Sequence, residues 1–139
     1  GLYGVSGVSS DMRELVAARA AGNQRADVAF RMFCYRVKKY IAAYAAAMGG
    51  VDAIFFTGGI GQKSVEVRER ALSGLEFMGV ELDRERNAAA TDGEAEISTD
   101  GSRVRVLVVP TNEEKTIARD VVRVLNGIMP VFTPPETVT

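Results

Sequence analysis

The feature that most constrains the fold of this chain is a short apolar segment between two helical patterns. Residues 51–57 read as a β-strand, and residues 54–56 are consecutive apolar residues, as in a central strand covered on both faces. The flanking segments, residues 25–48 and 64–78, repeat apolar residues every three or four positions, which predicts amphipathic helices. This order of helix, strand and helix indicates an α/β fold in which helices flank a sheet.

The long helix predicted over residues 25–48 carries an apolar stripe that we expect to lie on one face. Its members recur at steps of three or four: Phe30, Phe33, Val37, Tyr40, Tyr44 and Met48. Residues 42–47 are apolar on several faces, so we expect this end of the helix to be buried between neighbouring elements. Cys34, the single cysteine, reads as a buried thiol that packs as a small apolar residue.

The amino-terminal residues predict a loop followed by a short helix. Residues 1–10 are rich in Gly, Val and Ser and read as a loop, after which Asp11 opens a helix that ends near Ala21. Asp11 and Glu14 have the spacing of a capping box, in which each side chain accepts a hydrogen bond from a free backbone N–H. The chain starts without Met in a glycine-rich segment, and we expect it to be a piece of a longer protein.

The second half of the chain predicts two strands and a helix, while residues 80–92 give no clear pattern. Residues 94–98 and 103–109 read as strands joined by a turn at Asp100-Gly101. Thr111 and Glu114 have the spacing of a second capping box, which opens a helix to about residue 125. The expected inner face of this helix consists of Ile117, Val121, Val124 and Leu125. We expect residues 1–127 to form one domain and residues 128–139, rich in Pro and Thr, to form a flexible tail.

Charge and composition argue against several classes of partner. Lys and Arg total 17 and Asp and Glu total 18, so no basic excess indicates a nucleic acid or an anionic membrane. No apolar run is long enough to span a bilayer. A single cysteine cannot form an internal disulfide, which fits a reducing compartment and predicts a cytoplasmic location. The chain has no histidine, so it cannot by itself complete a mechanism that needs an imidazole.

The glycine cluster Thr57-Gly58-Gly59-Ile60-Gly61 lies between the predicted strand and the helix predicted from Ser64. Ligands of open α/β sheets bind beyond the carboxyl ends of strands, and a helix start there offers free N–H groups to a phosphate. The alternative is a tight turn without a ligand. The cluster is not a P-loop, because no Gly-Lys-Ser/Thr follows at the required spacing, and it lacks the third glycine of a dinucleotide fingerprint.

Three charged residues at predicted helix starts are candidates for ligand contacts. Glu113 is left free if Thr111 and Glu114 cap each other, and it is then either a ligand of a hard cation such as Mg²⁺ or a favourable charge at a helix start. Asp11 is either a helix cap or an acceptor for a ligand hydroxyl. Arg13 either contacts an anionic ligand or faces solvent.

Taken together, these motifs resemble those of the acetate kinase family. Residues 7–13 (GVSSDMR) are similar to the family's GVSSD-x-R segment, residues 56–61 (FTGGIG) to its FTGGIGEN segment, and residues 110–114 (PTNEE) to its PTNEE segment. Residues 33–41 and Leu82-Asp83 also match, and order and spacing agree from Gly1 to about Leu125. The chain departs from the pattern where the family's Glu-Asn is replaced by Gln62-Lys63, which puts the side-chain contacts of those two positions in question.

The resemblance implies a fold, a reaction and a set of ligand contacts. Acetate kinases have two RNase-H-like halves of the actin-like ATPase fold, bind ATP or ADP in the cleft between them, and need Mg²⁺. They interconvert acetate and acetyl phosphate and work as homodimers. By this resemblance Asp11 and Arg13 flank the nucleotide, and Glu113 binds Mg²⁺. The loop on the adenosine side consists of Gly59, Ile60, Gly61, Gln62 and Lys63.

The resemblance also implies that this chain lacks part of the active site. The family's acetate pocket and its catalytic Asp, Arg and His residues lie earlier in the chain, so we expect no catalytic residue here and no kinase activity of this chain alone. Three alternatives remain open at this point. The parent enzyme prefers propionate or butyrate, or the chain is a non-catalytic actin-like nucleotide-binding domain, or it is a Rossmann-type oxidoreductase fragment, which the glycine spacing disfavours.

Overall fold

A small mixed sheet lies at the centre of this computed structural model, which describes residues 1–128. Its strands are β1 (Ala53–Phe56), β2 (Ala95–Glu96) and β3 (Arg105–Val108), arranged in the order β1-β3-β2. β1 runs parallel to β3, and β2 runs antiparallel to it across the turn predicted at Asp100-Gly101. The predicted α/β class and mixed sheet are confirmed. Of the tail predicted over residues 128–139, all but residue 128 lies outside the described residues.

The position of β1 differs from the prediction of a strand covered on both faces. Within residues 1–128, β1 pairs only with β3 and so lies at the edge of the sheet. Ile54 and Phe56 are buried, whereas Phe55 between them is 61% exposed. Because successive side chains of a strand point to opposite faces, three consecutive apolar residues do not establish that both faces are covered. β3 is the central strand, and its Val106 and Val108 are buried.

Residues 1–128 contain seven α-helices, several of which differ from their predicted bounds. They are α1 (Leu2–Ser6), α2 (Met12–Ala20), α3 (Gln24–Ala47), α4 (Gly58–Lys63), α5 (Val65–Leu72), α6 (Arg84–Ala89) and α7 (Glu113–Leu125). Residues 2–6 are helical rather than a loop. The helix predicted over residues 64–78 ends at Leu72, before Gly74 with its φ of 81°, and a 3₁₀ helix, Glu76–Met78, follows it. The unassigned residues 80–92 contain α6.

The predicted stripe of α3 is buried only in its first half. Phe30 is fully buried and Phe33 and Val37 pack against buried side chains, whereas the later members of the stripe are exposed. The buried residues of α3 are Ala26, Ala29, Phe30, Cys34 and Ala45. Tyr40, Tyr44 and Met48 are 50%, 63% and 67% exposed, so the end of α3 is open on most sides rather than enclosed. Helices α1, α2 and α5 pack on the side where alanine and cysteine allow close approach. The burial of Cys34 is confirmed.

Two clusters of buried side chains hold the fold together, and α5 contributes to both. The sheet core includes Ile54, Phe56, Ala71, Leu72, Leu75, Val80, Ile97, Val104, Val106 and Val108. The helix core consists of Met12, Leu15, Ala26, Ala29, Phe30, Cys34 and Val67, with Ile60 packed against it. Because α5 supplies Val67 to one cluster and Ala71 and Leu72 to the other, it joins the sheet to the amino-terminal helices.

Helix α7 does not bury the face predicted to point inward. Ile117, Val121, Val124 and Leu125 are between 51% and 80% exposed within the described part of the chain. The amphipathic pattern is therefore present, but residues 1–128 supply no neighbour that covers it. Among these same residues, no helix is both long and apolar enough to cross a membrane.

Candidate functional site

The carboxyl ends of β1 and β3 bring two of the sequence motifs together. The glycine cluster follows β1, and the segment from Pro110 to Glu114 follows β3. The parallel pairing extends to this edge, where the Val109 N–H donates to the Phe56 carbonyl at 2.9 Å. Between the two segments lies a cleft of about 330 Å³, lined by Gly58, Gly59, Thr111, Asn112 and Glu114. This edge is where ligands of open α/β sheets bind.

The glycine cluster forms a helix of its own, which the sequence analysis did not predict. Helix α4 begins at Gly58, whose φ of 69° is a conformation that suits glycine. Gly61 lies against β1, because a Cβ added there would be 3.3 Å from the carbonyl carbon of Phe56. Ser64 then caps the next helix as predicted, with its hydroxyl accepting from Val67 N–H at 3.4 Å.

The start of α7 differs from the predicted capping box. Asn112, and not Thr111, is the N-cap, and its Oδ1 accepts a hydrogen bond from Lys115 N–H at 3.0 Å. Asparagine is as good an N-cap residue as threonine, so the spacing between Thr111 and Glu114 was not enough to identify the cap. Glu113 is the first residue of α7, next to the cleft in sequence, while its side chain lies outside what the structure describes.

Asp11 caps α2 as predicted and also pairs with Arg13. Its Oδ1 accepts from Arg13 N–H at 2.8 Å, and its Oδ2 lies 2.6 Å from Arg13 Nη2. These hydrogen bonds from Arg13 lower the pKa of Asp11 to about 2. Within residues 1–128 Glu14 does not accept the reciprocal hydrogen bond from Asp11 N–H, which donates to Ser9 Oγ at 2.9 Å, so the predicted capping box is incomplete. A ligand hydroxyl at Asp11 would share this carboxylate with Arg13.

Asp11 and Arg13 do not line the cleft, although they lie at the start of α2, which packs near the glycine helix. Met12, between them, belongs to the helix core against which Ile60 of α4 packs. The amino-terminal end of α2 and the glycine helix are thus linked through one cluster of side chains. The structure brings Gly59 together with the segment after β3, and it leaves Asp11 and Arg13 to one side.

Gln62 and Lys63, the two positions that depart from the family pattern, have different surroundings. Lys63 donates from Nζ to the Thr91 carbonyl at 3.1 Å and to Asp92 Oδ1 at 2.5 Å, so the segment before β2 holds it. Its side chain is 57% exposed. The Gln62 carbonyl accepts a hydrogen bond from Arg68 at 2.6 Å.

Arg68 is a residue near the site that the sequence analysis missed. It is fully buried on α5, yet the repeat of charged residues in residues 66–70 reads as a solvated helix face. Burial lowers the pKa of its guanidinium. Such burial is tolerable only where the fold places several carbonyl oxygens around the guanidinium. The sequence near Arg68 does not indicate that arrangement, because the oxygens come from other elements.

The residues beside the cleft fit a magnesium ion. Mg²⁺ takes oxygen ligands and is usually held by one or two carboxylates together with waters and phosphates. Thr111 and Glu114 supply oxygen atoms on the cleft wall, and Glu113, the first residue of α7, lies between them in sequence. No group of three or more His, Cys, Asp or Glu side chains is assembled for a metal within the described part of the chain. The few oxygen ligands at the cleft suit an ion whose other ligands are phosphate oxygens and waters.

Comparison with known proteins gives a consistent result. The family model of the acetokinase family matches residues 1–119. The chain is similar to the acetate kinase of Heliobacterium modesticaldum, with 57% identity over 127 residues that make up 91% of this chain and 32% of that protein. It is also similar to the acetate kinase of Bacteroides thetaiotaomicron, with 56% identity over 90% of this chain and 31% of that one. The chain thus spans about a third of the length of these relatives.

Solved structures show the same likeness. The crystal structure of Porphyromonas gingivalis acetate kinase matches with a TM-score of 0.83 and 50% identity, over 90% of this chain and 31% of that one. The crystal structure of a propionate kinase from Francisella tularensis matches with a TM-score of 0.75 and 35% identity, over 86% of this chain and 30% of that one. The resemblance inferred from the three motifs is confirmed, and so is the actin-like fold that it implied.

Proposed function

The chain belongs to the acetokinase family, and from this membership we propose that it forms the nucleotide- and magnesium-binding part of an acetate kinase. In that enzyme a phosphoryl group moves between ATP and acetate, giving ADP and acetyl phosphate. The observation that carries the proposal is the cleft at the carboxyl ends of β1 and β3, where two motifs about 50 residues apart in sequence face each other.

In this proposal the glycine helix approaches the nucleotide mainly through its backbone. Gly59 has no side chain, and the space beside its Cα is open, since a Cβ there would meet no atom within 4 Å. Gly61, Gln62 and Lys63 continue the same segment on the adenosine side, with Ile60 anchoring it to the helix core. Because backbone groups do this work, the change from the family's Glu-Asn to Gln62-Lys63 is compatible with nucleotide binding.

Asp11 and Arg13 flank the nucleotide from the start of α2. Their ion pair keeps the Asp11 carboxylate ionised and orients the Arg13 guanidinium, whose side chain is 90% exposed and free to contact an anionic group. Glu113, supported by Thr111 and Glu114, would hold Mg²⁺ at the other wall of the cleft. When bound, the ion neutralises phosphate charge during transfer.

Thermal unfolding with and without nucleotide tests this proposal. Mg-ATP is expected to raise the melting temperature of the 139-residue chain, while NAD and ATP without Mg²⁺ are not. Glu113→Ala should abolish the stabilisation. Glu85→Ala is the matched control, because Glu85 also lies in the first turn of a helix, α6, on a different part of the chain. Equal stabilisation of the Glu113→Ala variant would contradict the assignment of the metal ligand.

The chain by itself is proposed to lack kinase activity. Phosphoryl transfer depends on charge stabilisation from several sides of the transferred group, and the cleft offers one wall. Trapping acetyl phosphate with hydroxylamine after incubation of the purified chain with Mg-ATP and acetate is the direct assay. Product formation above the enzyme-free rate would overturn this part of the proposal.

A second acyl substrate has one observation in its favour. A structural neighbour at 35% identity is a propionate kinase, whereas the relatives at 54–57% identity are acetate kinases. We therefore place acetate first and propionate second. Comparing kcat/KM for acetate, propionate and butyrate in the complete parent enzyme decides between them, and a preference for a longer acid would contradict the first choice.

We also propose that the parent enzyme is a cytoplasmic homodimer that associates through the exposed end of α3. Tyr40 and Tyr44 stack there with ring centroids 6.0 Å apart, and Met48 continues the exposed face. Aromatic and methionine side chains are enriched at the centres of protein interfaces. Sedimentation of the parent enzyme and of its Tyr44→Asp variant is the test, with Tyr3→Asp, another exposed tyrosine, as the control. A Tyr44→Asp variant that stays dimeric would exclude this face.

A further inference from the structure

Arg68 uses all of its hydrogen-bond donors inside the protein, although no carboxylate pairs with it among the described residues. Its Nε donates to Asn87 Oδ1 at 2.7 Å, and Nη2 donates to the carbonyls of Asn87 and Ala90, both at 2.9 Å. Nη1 donates to the carbonyls of Gly61 at 3.0 Å and Gln62 at 2.6 Å. A guanidinium has five N–H groups, and each has an acceptor here.

These acceptors belong to the ends of two different helices. Gly61 and Gln62 lie in the last turn of α4, and Asn87 and Ala90 lie at the end of α6. The carbonyls of a helix end lack partners within the helix and carry partial negative charge, so they compensate a buried cation. Arg68 therefore ties the glycine helix to α6 through α5, on which it sits.

The glycine helix has few other restraints on its position. None of its residues is buried, and three of its six residues are glycines, which favour helix least among residues other than proline. Its other contacts are Ile60 against the helix core, Gly61 against the backbone of Phe56, and the exposed Lys63, which donates to the Thr91 carbonyl and to Asp92. Exposed ion pairs contribute little to stability. The bonds from Arg68 are charge-assisted and come from a fully buried side chain.

We propose that Arg68 is a positioning residue, which sets the place of the glycine helix and through it the shape of the cleft wall at Gly58 and Gly59. Its effect on ligand binding rests on the proposed nucleotide site, whereas its effect on the glycine helix does not. Lysine is a poor replacement, because its single ammonium group cannot reach two separate carbonyl pairs and Asn87 Oδ1 at once.

Hydrogen exchange of backbone amides in the ligand-free chain tests the positioning. The variants are Arg68→Lys and Arg68→Met, with Val106→Ala as a control that weakens the sheet core and Arg70→Met as a control for an exposed arginine on the same helix. Exchange at residues 59–63 is expected to rise at least about tenfold more in the Arg68 variants than in Val106→Ala, after correction for global stability, since two charge-assisted bonds to α4 are weakened or lost. Arg70→Met should leave these amides unchanged.

The outcomes separate the inference from the proposed function. If exchange at residues 59–63 rises no more than in Val106→Ala, Arg68 is merely a buried structural residue and the inference is overturned. Mg-ATP affinity is measured on the same samples, and Arg68→Lys is expected to weaken it about tenfold at a temperature where the variant stays folded. Faster amide exchange at residues 59–63 with unchanged Mg-ATP affinity would overturn the claim that Arg68 sets the shape of the cleft. A wild-type chain that does not bind Mg-ATP contradicts the proposed function, while the exchange result still decides the role of Arg68.

A third variant keeps the test decisive if both Arg68 variants fail to fold. Asn87→Ala removes the acceptor of Arg68 Nε and leaves the backbone carbonyl of residue 87 in place. It is expected to raise exchange in the same amides by a smaller factor, with little change in β3. No rise at residues 59–63 in this folded variant would also overturn the inference.

Discussion

Two glycines of the same short helix offer a controlled test of how closely α4 approaches the sheet. A Cβ added at Gly61 would lie 3.3 Å from the carbonyl carbon of Phe56 and 3.5 Å from its Cα. A Cβ added at Gly59 would meet no atom within 4 Å, and neither residue has the positive φ that favours glycine. Replacement by alanine therefore differs between the two positions only in the space that the methyl group finds.

The magnitude follows from two opposing effects. Alanine favours a helix over glycine by up to about 1 kcal/mol, and this gain applies to both variants. Crowding an already filled space costs about 1–3 kcal/mol, and it applies only at Gly61. The atom that the methyl group meets belongs to the backbone of β1, which is held by the bond from Val109 N–H to the Phe56 carbonyl, so it cannot move aside easily. Gly61→Ala should thus be less stable than Gly59→Ala by about 1–3 kcal/mol.

Urea unfolding of the two variants and the wild type measures the difference. The slopes of free energy against urea concentration should agree, so that the midpoints report stability directly. We expect the Gly59→Ala midpoint at or above that of the wild type and the Gly61→Ala midpoint below both. Equal midpoints for the two variants would refute the close approach of α4 to β1. Because Gly59 lines the cleft, its alanine variant should also weaken Mg-ATP binding while remaining stable.

Two further predictions concern titratable groups. The folded chain holds the pKa of Asp11 at about 2, below its ordinary 3.8, so the Asp11–Arg13 pair stabilises the fold above about pH 4 and this contribution disappears as the pH falls towards 2. Asp11→Asn should consequently be less stable than the wild type at pH 7 and equally stable at pH 2 by urea unfolding, and a difference independent of pH would contradict the pairing. Burial raises the pKa of the Cys34 thiol to about 11, so iodoacetamide at pH 8 should alkylate it only after unfolding, as mass spectrometry would show; rapid labelling of the native chain would contradict its burial.

Parts of the fold and site follow from short stretches of sequence. The long helix was predicted within one residue of α3, and the N-caps at Asp11 and Ser64 are confirmed. The antiparallel pair around Asp100-Gly101 is confirmed as well. The caps, the turn at Asp100-Gly101 and the helical periodicity each depend on residues within about four positions of one another. The strand pair follows from that turn, because a tight turn places the two flanking strands side by side. The capping box at Thr111 failed because Asn112 competes for the same role.

The sequence by itself determined the family, the long helix α3, the three strands and the motifs that follow β1 and β3. Only the tertiary structure decided that β1 lies at the edge of the sheet, that the alanine side of α3 and not its tyrosine side is buried, and that the glycine cluster is helical. It also decided that Arg68 is buried among five acceptors. The physical reason is that periodicity gives each element an apolar face or a charged face, whereas burial depends on which distant elements pack there. The carbonyls that accept from Arg68 come from α4 and α6, and only the folded chain brings those two helix ends together.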